Sequence, residues 1–426
     1  MPEIAHATKS AITVVLIAVL LDSVSFSMVM PVMPALITQL TGEGLGQAAV
    51  YGGWLLTVFA IVQFMCAPLL GGLSDRYGRR PVLLLSLFMF GVDYMIMGLA
   101  PTLALLFVGR ILSGIPGASF IPAYAYTADV SSHETRAKNF ALVGSAFSTG
   151  FVIGPAIGGL LGTFGPRAPF FAAGAVAFIN FAIGYFVLRE SLPLERRRPF
   201  NWKRANPVGS LLQLRKYPQV FGLAFALTLW FMAIMSYPTT WAFYTMFRFG
   251  WTEAVIGLSL AAYGGMIAFS QARLTGPVIA RLGESRTVMY GLMLGALAFF
   301  GQGLATEGWM MFVFVPVWLI GAIAMPTINA MMSKQIPMDA QGELQGASAS
   351  LMSVSAIVGP PLMAGLFGTF SRSDAPVYLP GIAFIAAGFI TILSAAIVYR
   401  VLRTSPVFAP AASGAGLPGS AVAGKE

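Results

Sequence analysis

Long apolar stretches, separated by short polar breaks, recur along nearly the whole chain. An apolar stretch of about 20 residues crosses a bilayer as one helix. Six such stretches come first, at residues 11–40, 50–72, 81–100, 103–127, 140–164 and 169–188. Six more follow, at residues 220–247, 254–279, 287–304, 308–332, 344–370 and 377–401. The pattern predicts an all-α membrane protein with twelve transmembrane helices.

The longest polar segment, residues 189–218, divides the stretches into two sets of six. The second set repeats motifs of the first. "GGLSDRYGRRPV" from Gly71 aligns with "GPVIARLGESRTV" from Gly276 at an offset of 205, and "GPAIGG" from Gly154 aligns with "GPPLMAG" from Gly359 at the same offset. This duplication predicts two pseudo-symmetric six-helix bundles, residues 1–188 and 219–403, joined by a basic cytoplasmic linker at 189–218. Residues 404–426, rich in Ala, Gly, Pro and Ser, are predicted to be a disordered tail.

Composition and charge support a membrane protein. Of the 426 residues, 57% are hydrophobic and 10% are charged, whereas soluble domains have about 45–50% apolar residues. The net charge of +9 at first suggests nucleic acid as a partner. However, 20 of the 25 Lys and Arg residues fall in the segments on one side of the predicted membrane, and three fall on the other. This asymmetry is the positive-inside bias, so it predicts that both termini are cytoplasmic and that no nucleic acid is bound.

The stretch "GGLSDRYGRRPVLL", residues 71–84, carries four charges between two apolar stretches. We interpret it as a short cytoplasmic turn between helices two and three. Gly78 permits a tight turn, and Pro81 suits the first turn of the next helix. Arginines facing water and lipid headgroups explain the positive charges, but they explain neither Asp75 nor the spacing.

The pattern G-x-x-S-D-R-x-G-R-R in this stretch resembles the signature loop of the major facilitator superfamily. "MPVMPALITQL", "GVDYMIMG" and "GRILSGIPGAS" are similar to the tetracycline-resistance efflux branch, and the resemblance covers roughly residues 10 to 402. It implies the twelve-helix major facilitator fold and export of a drug-like amphipathic solute, with tetracyclines the leading candidate, in exchange for protons by alternating access. The residues expected to form the conformational gate are Gly71, Asp75, Arg76, Gly78, Arg79 and Arg80. We expect Asp75 to pair with Arg79, or with a helix end of the other bundle, when the cavity faces outward and to separate when it faces inward.

The resemblance also implies location and partners. It places the chain in a bacterial inner membrane, in contact with lipid, as a functional monomer that binds a small-molecule substrate. It implies no cofactor, because the proton gradient supplies the energy. It is also compatible with a divalent metal ion that enters bound to the substrate.

Ionisable side chains inside the predicted helices are the candidate functional residues, because each is costly in a bilayer unless it is paired or hydrated. Asp22 lies midway along helix one, where a carboxyl lining a central cavity could exchange a proton as its exposure changes. The alternative is that Asp22 bonds to Ser23 or Ser25. The resemblance implies proton coupling by Asp22, Asp93 and Arg110, and a substrate cavity lined by Gln63, Gln271 and Asp22.

Two further features concern helices four and five. Asp129, at the end of helix four, is predicted to pair with the loop arginines. "GSAFSTGFVIGPAIGG" in helix five resembles the antiporter motif of the superfamily. We expect a bend there at Gly154, Pro155, Gly158 and Gly159, with simple close packing as the alternative.

The second half departs from the resembled branch. Gly295 and Ile267 stand where that branch has a ninth-helix aspartate and an eighth-helix histidine. Coupling, if present, must therefore run through Asp22 and Asp93. A proton-independent facilitator, or an exporter of another metabolite, is the alternative. An enzyme is not expected, because His6, His133 and Cys66 offer neither metal-ligand spacing nor a nucleophile–base pair.

Overall fold

The computed structural model describes residues 2–132, 134–200, 218–337 and 341–404. His133, most of the predicted linker and nearly all of the predicted tail lie outside the described residues. The first six membrane-spanning helices are α1 (Ala11–Thr41), α2 (Leu45–Tyr77), α3 (Arg79–Leu99), α4 (Leu103–Asp129), α5 (Arg136–Gly162) and α6 (Ala168–Val187). The second six are α7 (Val220–Phe249), α8 (253–282), α9 (284–303), α10 (Gly308–Ser333), α11 (Leu344–Phe370) and α12 (Ile382–Thr404). The predicted twelve-helix fold is confirmed.

Helices α8 and α9 form one helical stretch, Glu253–Gly303, of 51 residues. At 1.5 Å per residue such a stretch would be about 75 Å long, more than twice the thickness of a bilayer core. Gly283 breaks it, with φ 73° and ψ 163°. Gly78, at φ 107° and ψ 159°, separates α2 from α3 in the same way. Both positive φ values favour glycine. The predicted turn at 71–84 is therefore a single-residue break, and most of that stretch is helical.

Every third helix is interrupted near its middle. The separate helical segments are Pro2–Met28 and Met33–Thr41 in α1, Leu103–Gly114 and Phe120–Asp129 in α4, Pro218–Ile234 and Ser236–Phe249 in α7, and Gly308–Gly321 and Ala324–Ser333 in α10. Short 3₁₀ turns, each containing a proline, join the segments of α1 and α4. Irregular backbone at membrane depth is tolerated where it is buried in protein or lines a cavity. Residues of the interrupted helices α1, α4 and α7 line the central cavity, whereas α10 contributes no residue to its wall.

The two halves meet along two helix pairs, α2 with α11 and α5 with α8. The duplication relates these pairs to each other, as expected for pseudo-symmetric bundles. Gly154 and Gly158 of α5 pack directly against α1, whereas Gly159 packs against α8. Small residues allow helices to approach closely in a membrane. Pro155 lies inside a helix that is continuous from Arg136 to Gly162, and the predicted bend at this site stays a prediction.

We call the membrane face that carries the α2–α3 break the basic face. The halves touch from the other face down to mid-depth, where the Thr57 hydroxyl donates to the Ile357 carbonyl at 3.2 Å. Toward the basic face, Ser145 and Ser148 of α5 and Gln271 of α8 are exposed. The two serine hydroxyls donate to carbonyls of their own helix, at 2.9 and 3.0 Å, whereas the Gln271 amide at this depth needs water rather than lipid around it. The gap between the halves therefore opens toward the basic face.

Candidate functional site

Two adjoining chambers lie at the centre of the molecule. The larger, about 260 Å³, is enclosed by both halves, and the smaller, about 200 Å³, lies within the first half. Both are bordered by Phe26, Phe59, Gln63 and Phe151. The wall from the second half is mainly apolar and includes Phe243. An apolar cavity with few polar groups suits an amphipathic small molecule.

Three polar side chains border the larger chamber: Gln63, Arg110 and Thr239. The Gln63 amide nitrogen donates to the Gly117 carbonyl at 2.5 Å, which holds the amide in place. Within the described part of the chain, neither Arg110 Nε nor the Thr239 hydroxyl has a hydrogen-bond partner. Because unpartnered buried polar groups are costly, these two atoms are suited to meet a bound solute or water.

Asp22 borders the smaller chamber and is 8% exposed. The Ser23 and Ser25 hydroxyls donate to carbonyls of their own helix, at 2.8 and 2.9 Å, and not to Asp22. The structure therefore does not bear out the alternative in which these serines hold the carboxyl. The polar partner of Asp22 is the Ser119 hydroxyl on α4.

Asp93 lies on α3 behind the chambers and is 1% exposed. It packs against α4, where a Cβ on Gly109 would lie 3.0 Å from Asp93 Oδ1. Asp93 interacts electrostatically with Arg110, the next residue on α4. Asp93 also has the Ser113 hydroxyl of α4 as a polar neighbour. Among the described residues, the Tyr94 hydroxyl and Arg110 Nε lack hydrogen-bond partners. Such a cluster requires a functional explanation, because buried polar groups are normally satisfied.

Gln271 lies on a π-helical turn of α8, Ser270–Leu274. Its side chain is exposed, and it borders neither chamber. The Ser270 hydroxyl anchors the turn by donating to the Leu319 carbonyl of α10. Single π turns within helices are frequent at functional sites. The role of Gln271 in the substrate cavity stays a prediction.

Aromatic side chains fill the second half at the level of the predicted coupling site. Trp230 and Trp318 stack with ring centroids 5.1 Å apart. If another residue replaced Gly295, its Cβ atom would lie 2.9 Å from the Trp230 ring. No room therefore remains at this position for a carboxylate side chain. Ile267 packs against the same hydrophobic core. The buried carboxyl groups in the described membrane-spanning segments, Asp22 and Asp93, are both in the first half.

Ion pairs at the basic face tie α2, α3 and α4 together. Arg79 binds Asp75 at 2.5 Å and Asp129 at 3.1 Å. The pairing predicted for Asp129 is confirmed. The cavity opens toward this face, yet the Asp75–Arg79 pair is intact. Our expectation that the pair separates in this state is therefore wrong, because Asp75 and Arg79 lie one helical turn apart within the same half and need not move relative to each other.

The remaining gate residues lie around these pairs. The Arg76 guanidinium stands over the Tyr77 ring at 5.1 Å, and Arg80 stands over Tyr185 at 5.7 Å. Gly71 faces Ile121 of α4. Salt bridges in the described ranges stay within one half or the other, so charge pairing does not hold the basic face closed.

Sequence reasoning missed Glu190. Its carboxylate accepts backbone N–H groups from Arg79 at 2.9 Å, Arg80 at 3.3 Å, and Ser191 and Leu192 at 3.0 Å. The Arg198 amide donates to the Asp75 carbonyl at 3.1 Å. The start of the predicted linker is thus fixed to the first half. No sequence signal separates Glu190 from the other charges of that segment.

The comparisons with known proteins agree with this architecture. The model of the Major Facilitator Superfamily matches residues 15–346 and 244–424. The chain is 39% identical to the class C tetracycline resistance protein of Escherichia coli, over 84% of this chain and 90% of that protein. It is 30% identical to multidrug resistance protein 2 of Bacillus subtilis, over 90% and 93% of the two chains.

Solved structures show the same fold. A bacterial homologue of the human lysosomal transporter Spinster, in an inward-facing and unoccupied conformation, superimposes with a TM-score of 0.76 at 14% identity, over 93% of this chain and 97% of that one. The human organic anion transporter MFSD10 gives 0.67 at 23% identity, over 92% and 99%. The matched relatives are transporters and not enzymes, and the chain is a multi-pass integral membrane protein that belongs to the Major Facilitator Superfamily, in the branch of the tetracycline resistance proteins.

Proposed function

We propose that the protein exports an amphipathic, drug-like solute, with tetracyclines the leading candidate, in exchange for protons. The names of the relatives support tetracyclines as substrates. The apolar chamber with Gln63, Arg110 and Thr239 supports a solute that is largely hydrophobic and has one polar edge. Alternating access between the two faces follows from a gap that is closed at one face and open at the other.

The proposed proton exchange rests on the position of Asp22. This residue borders the smaller chamber, which adjoins the larger one. A carboxyl at this depth changes its hydration when the halves rock, so it can bind a proton in one state and release it in the other. Each proton that enters brings about 2.3 kcal/mol per 100 mV of membrane potential. Asp93 and Arg110 form the second part of the proposed coupling machinery.

Orientation and partners complete the proposal. The basic face is placed in the cytoplasm of a bacterial inner membrane, in accordance with the positive-inside bias, so the cavity opens inward. The protein acts as a monomer, surrounded by lipid and without nucleic acid or a resident cofactor. A divalent metal, where present, enters with the substrate. Within the ranges that the structure covers, no group of three or more His, Cys, Asp and Glu side chains is arranged so that it could hold a metal ion.

A proton-independent facilitator is the second candidate. It is favoured by Gly295 and Ile267, which leave the second half without an ionisable group at coupling depth. The two candidates differ in whether they can move the substrate against its concentration gradient, because a facilitator only equilibrates its substrate.

Transport in inverted membrane vesicles tests the proposal. Tetracycline uptake against its gradient should follow an imposed pH gradient and collapse when a protonophore is added. Asp22→Asn and Asp93→Asn should each abolish uphill uptake, while at least one still exchanges tetracycline downhill. Asp374→Asn is the matched control, since Asp374 is paired with Arg372 at an exposed site on the other face. Gradient-independent equilibration by the wild type would support the facilitator instead.

A further inference from the structure

We propose that the smaller chamber is an aromatic cage that binds the positively charged nitrogen of the exported solute, with Asp22 as the counter-ion. The ligand class is an amphipathic amine whose nitrogen is protonated or quaternary. This inference rests on the export proposed above, and it names the charged group of the solute and the place where that group binds.

Phenylalanine rings form most of the wall of the smaller chamber. Six of them border it: Phe26, Phe59, Phe90, Phe120, Phe147 and Phe151. The Phe26 ring lies between Phe59 and Phe151, at centroid distances of 5.5 and 5.8 Å. The Phe147 ring lies between Phe151 and Phe120, at 4.8 and 4.7 Å. Five rings thus form a continuous aromatic wall. Because aromatic rings attract cations through their faces, cages of such rings recognise alkylated ammonium groups.

The polar groups of the smaller chamber are acidic or can accept hydrogen bonds. Asp22 supplies a carboxyl group. The Ser23 hydroxyl donates to the Val19 carbonyl, and the Gln63 amide nitrogen donates to the Gly117 carbonyl. The oxygen atoms of both side chains can still accept hydrogen bonds. Among the described residues, no basic side chain borders this chamber. The polar lining therefore favours a cation over an anion.

Asp22 has no basic side chain paired with it in the described part of the chain. Its polar partner is the neutral Ser119 hydroxyl, and none of the salt bridges between described residues includes it. Asp93, in contrast, has Arg110 as an electrostatic partner. Because a buried carboxylate without a counter-charge is costly, either a proton or a bound cation must neutralise Asp22. The proton leaves when the cation binds, so the net charge of the site is unchanged.

The charges around Asp22 add up to a single negative charge. Tyr94 interacts electrostatically with Asp22, Asp93 and Arg110, so these three charged groups belong to one cluster. Asp93 and Arg110 carry opposite charges and offset each other. The membrane-embedded parts of α2, α5 and α6 contribute no charged side chain. A group with one positive charge therefore matches the cluster.

The smaller chamber is accessible to part of a larger solute. Four residues border both chambers: Phe26, Phe59, Gln63 and Phe151. A solute can therefore place its nitrogen beside Asp22 while its apolar body fills the larger chamber. The volume of about 200 Å³ is far above the about 10–15 Å³ that one water requires, so a dimethylammonium or trimethylammonium group has room. Tetracyclines carry a dimethylammonium group, and their oxygen-rich edge suits Arg110 and Thr239 of the larger chamber.

Two related ligands test the cage in the purified protein. Tetracycline and its analogue without the dimethylamino group differ at the nitrogen, and calorimetry in detergent gives both dissociation constants. We expect the wild type to bind tetracycline about tenfold or more tightly than the analogue, since cation–π contacts are strong in desolvated sites. Asp22→Asn should remove most of this ratio. Phe147→Leu keeps an apolar side chain at a position that borders only the smaller chamber, and it should lower the ratio about two- to fivefold.

Phe170→Leu is the matched control. Phe170 is a fully buried phenylalanine of α6 that borders neither chamber, so its replacement should leave the ratio of the two dissociation constants as in the wild type. A wild type without preference for the charged member of the pair, or an unchanged ratio in folded Asp22→Asn and Phe147→Leu, would overturn the binding of tetracycline in the cage. The comparison within the wild type decides the test if the variants do not fold.

Choline tests the chamber without tetracycline. Its neutral counterpart, in which a tert-butyl group replaces the trimethylammonium group, has the same shape and no charge. Binding of choline that exceeds binding of the counterpart, with a preference that Asp22→Asn abolishes, would support the cage even where tetracycline is not its ligand. Equal binding within both pairs would overturn the cage.

Binding and transport separate this proposal from the proposed function. Selective binding of the charged ligands without gradient-driven uptake would contradict the proton exchange and leave the cage in place. Gradient-driven uptake without any preference for the charged ligands would contradict the cage alone.

Discussion

Glu284 and Lys334 form an ion pair at the basic face that repeats, with the charges exchanged, the pair of Arg79 and Asp129 in the first half. The two pairs have N–O distances of 2.5 and 3.1 Å. The repeat offset of 205 carries Arg79 onto Glu284 and Asp129 onto Lys334. The duplication therefore kept the link between the third and fourth helices of each half while its polarity was reversed.

The two pairs should differ in strength. The Arg79 and Asp129 side chains are 11% and 24% exposed, whereas Lys334 is 67% exposed. Double-mutant cycles on thermal unfolding in detergent, using Arg79→Gln with Asp129→Asn and Glu284→Gln with Lys334→Gln, measure each coupling. We expect about 1 kcal/mol or more for the first pair and less than about 0.5 kcal/mol for the solvated second pair. Equal coupling free energies for the two pairs would show that burial does not determine the strength of these ion pairs.

Removal of the Glu190 carboxylate should loosen the α2–α3 break. Glu190→Ala takes away the acceptor for the first amides of α3, and the loss of a helix cap costs about 1 kcal/mol. Amide hydrogen exchange at Arg79 and Arg80 should accelerate about fivefold. Glu195→Ala, in the short 3₁₀ turn Leu194–Arg196, is the control and should leave these amides unchanged. Unchanged amide exchange in Glu190→Ala would mean that the hydrogen bonds to the Glu190 carboxylate do not stabilise the start of α3.

Introducing the missing ninth-helix carboxylate should damage the second half. Gly295→Asp would place a charge against the stacked Trp230 and Trp318 rings, where it has neither space nor a partner. We expect a loss of about 3 kcal/mol or more, seen as poor membrane expression and a lowered melting temperature. Trp230→Ala in the same chain should recover part of the loss by making room. A stable Gly295→Asp protein would contradict the packing described here.

A disulfide that joins the two halves at the closed face should hold the protein in the conformation described here. A Cβ on Gly46 would lie 2.6 Å from Ser371 Oγ, so cysteines at both positions suit a disulfide. In a Cys66→Ser background, Gly46→Cys with Ser371→Cys should cross-link on oxidation and stop transport, and a reductant should restore it. Each single cysteine variant should transport under both conditions. Transport that continues through the cross-linked protein would exclude opening at this face.

The number and placement of the helices could be predicted because crossing a bilayer fixes the length of each apolar stretch. The extents of the turns at Gly78 and Gly283 could not, since a helix that breaks at one residue differs little in composition from one that ends in a loop. Asp22, Asp93 and Arg110 stood out because charges are rare in such stretches. Thr239 did not, because a threonine in a membrane helix usually bonds to its own backbone, and only the assembled cavity shows that its hydroxyl has no partner.

The confinement of buried carboxyl groups to one half has an evolutionary consequence. Residues of α7 that border the larger chamber, such as Met235 and Phe243, come from a half whose described residues include no buried carboxyl group at coupling depth. Mutations there can reshape the pocket for a new drug without touching the groups proposed to harness the energy source. On the function proposed above, substitutions at these second-half positions should change which solutes are exported and leave the proposed proton coupling intact.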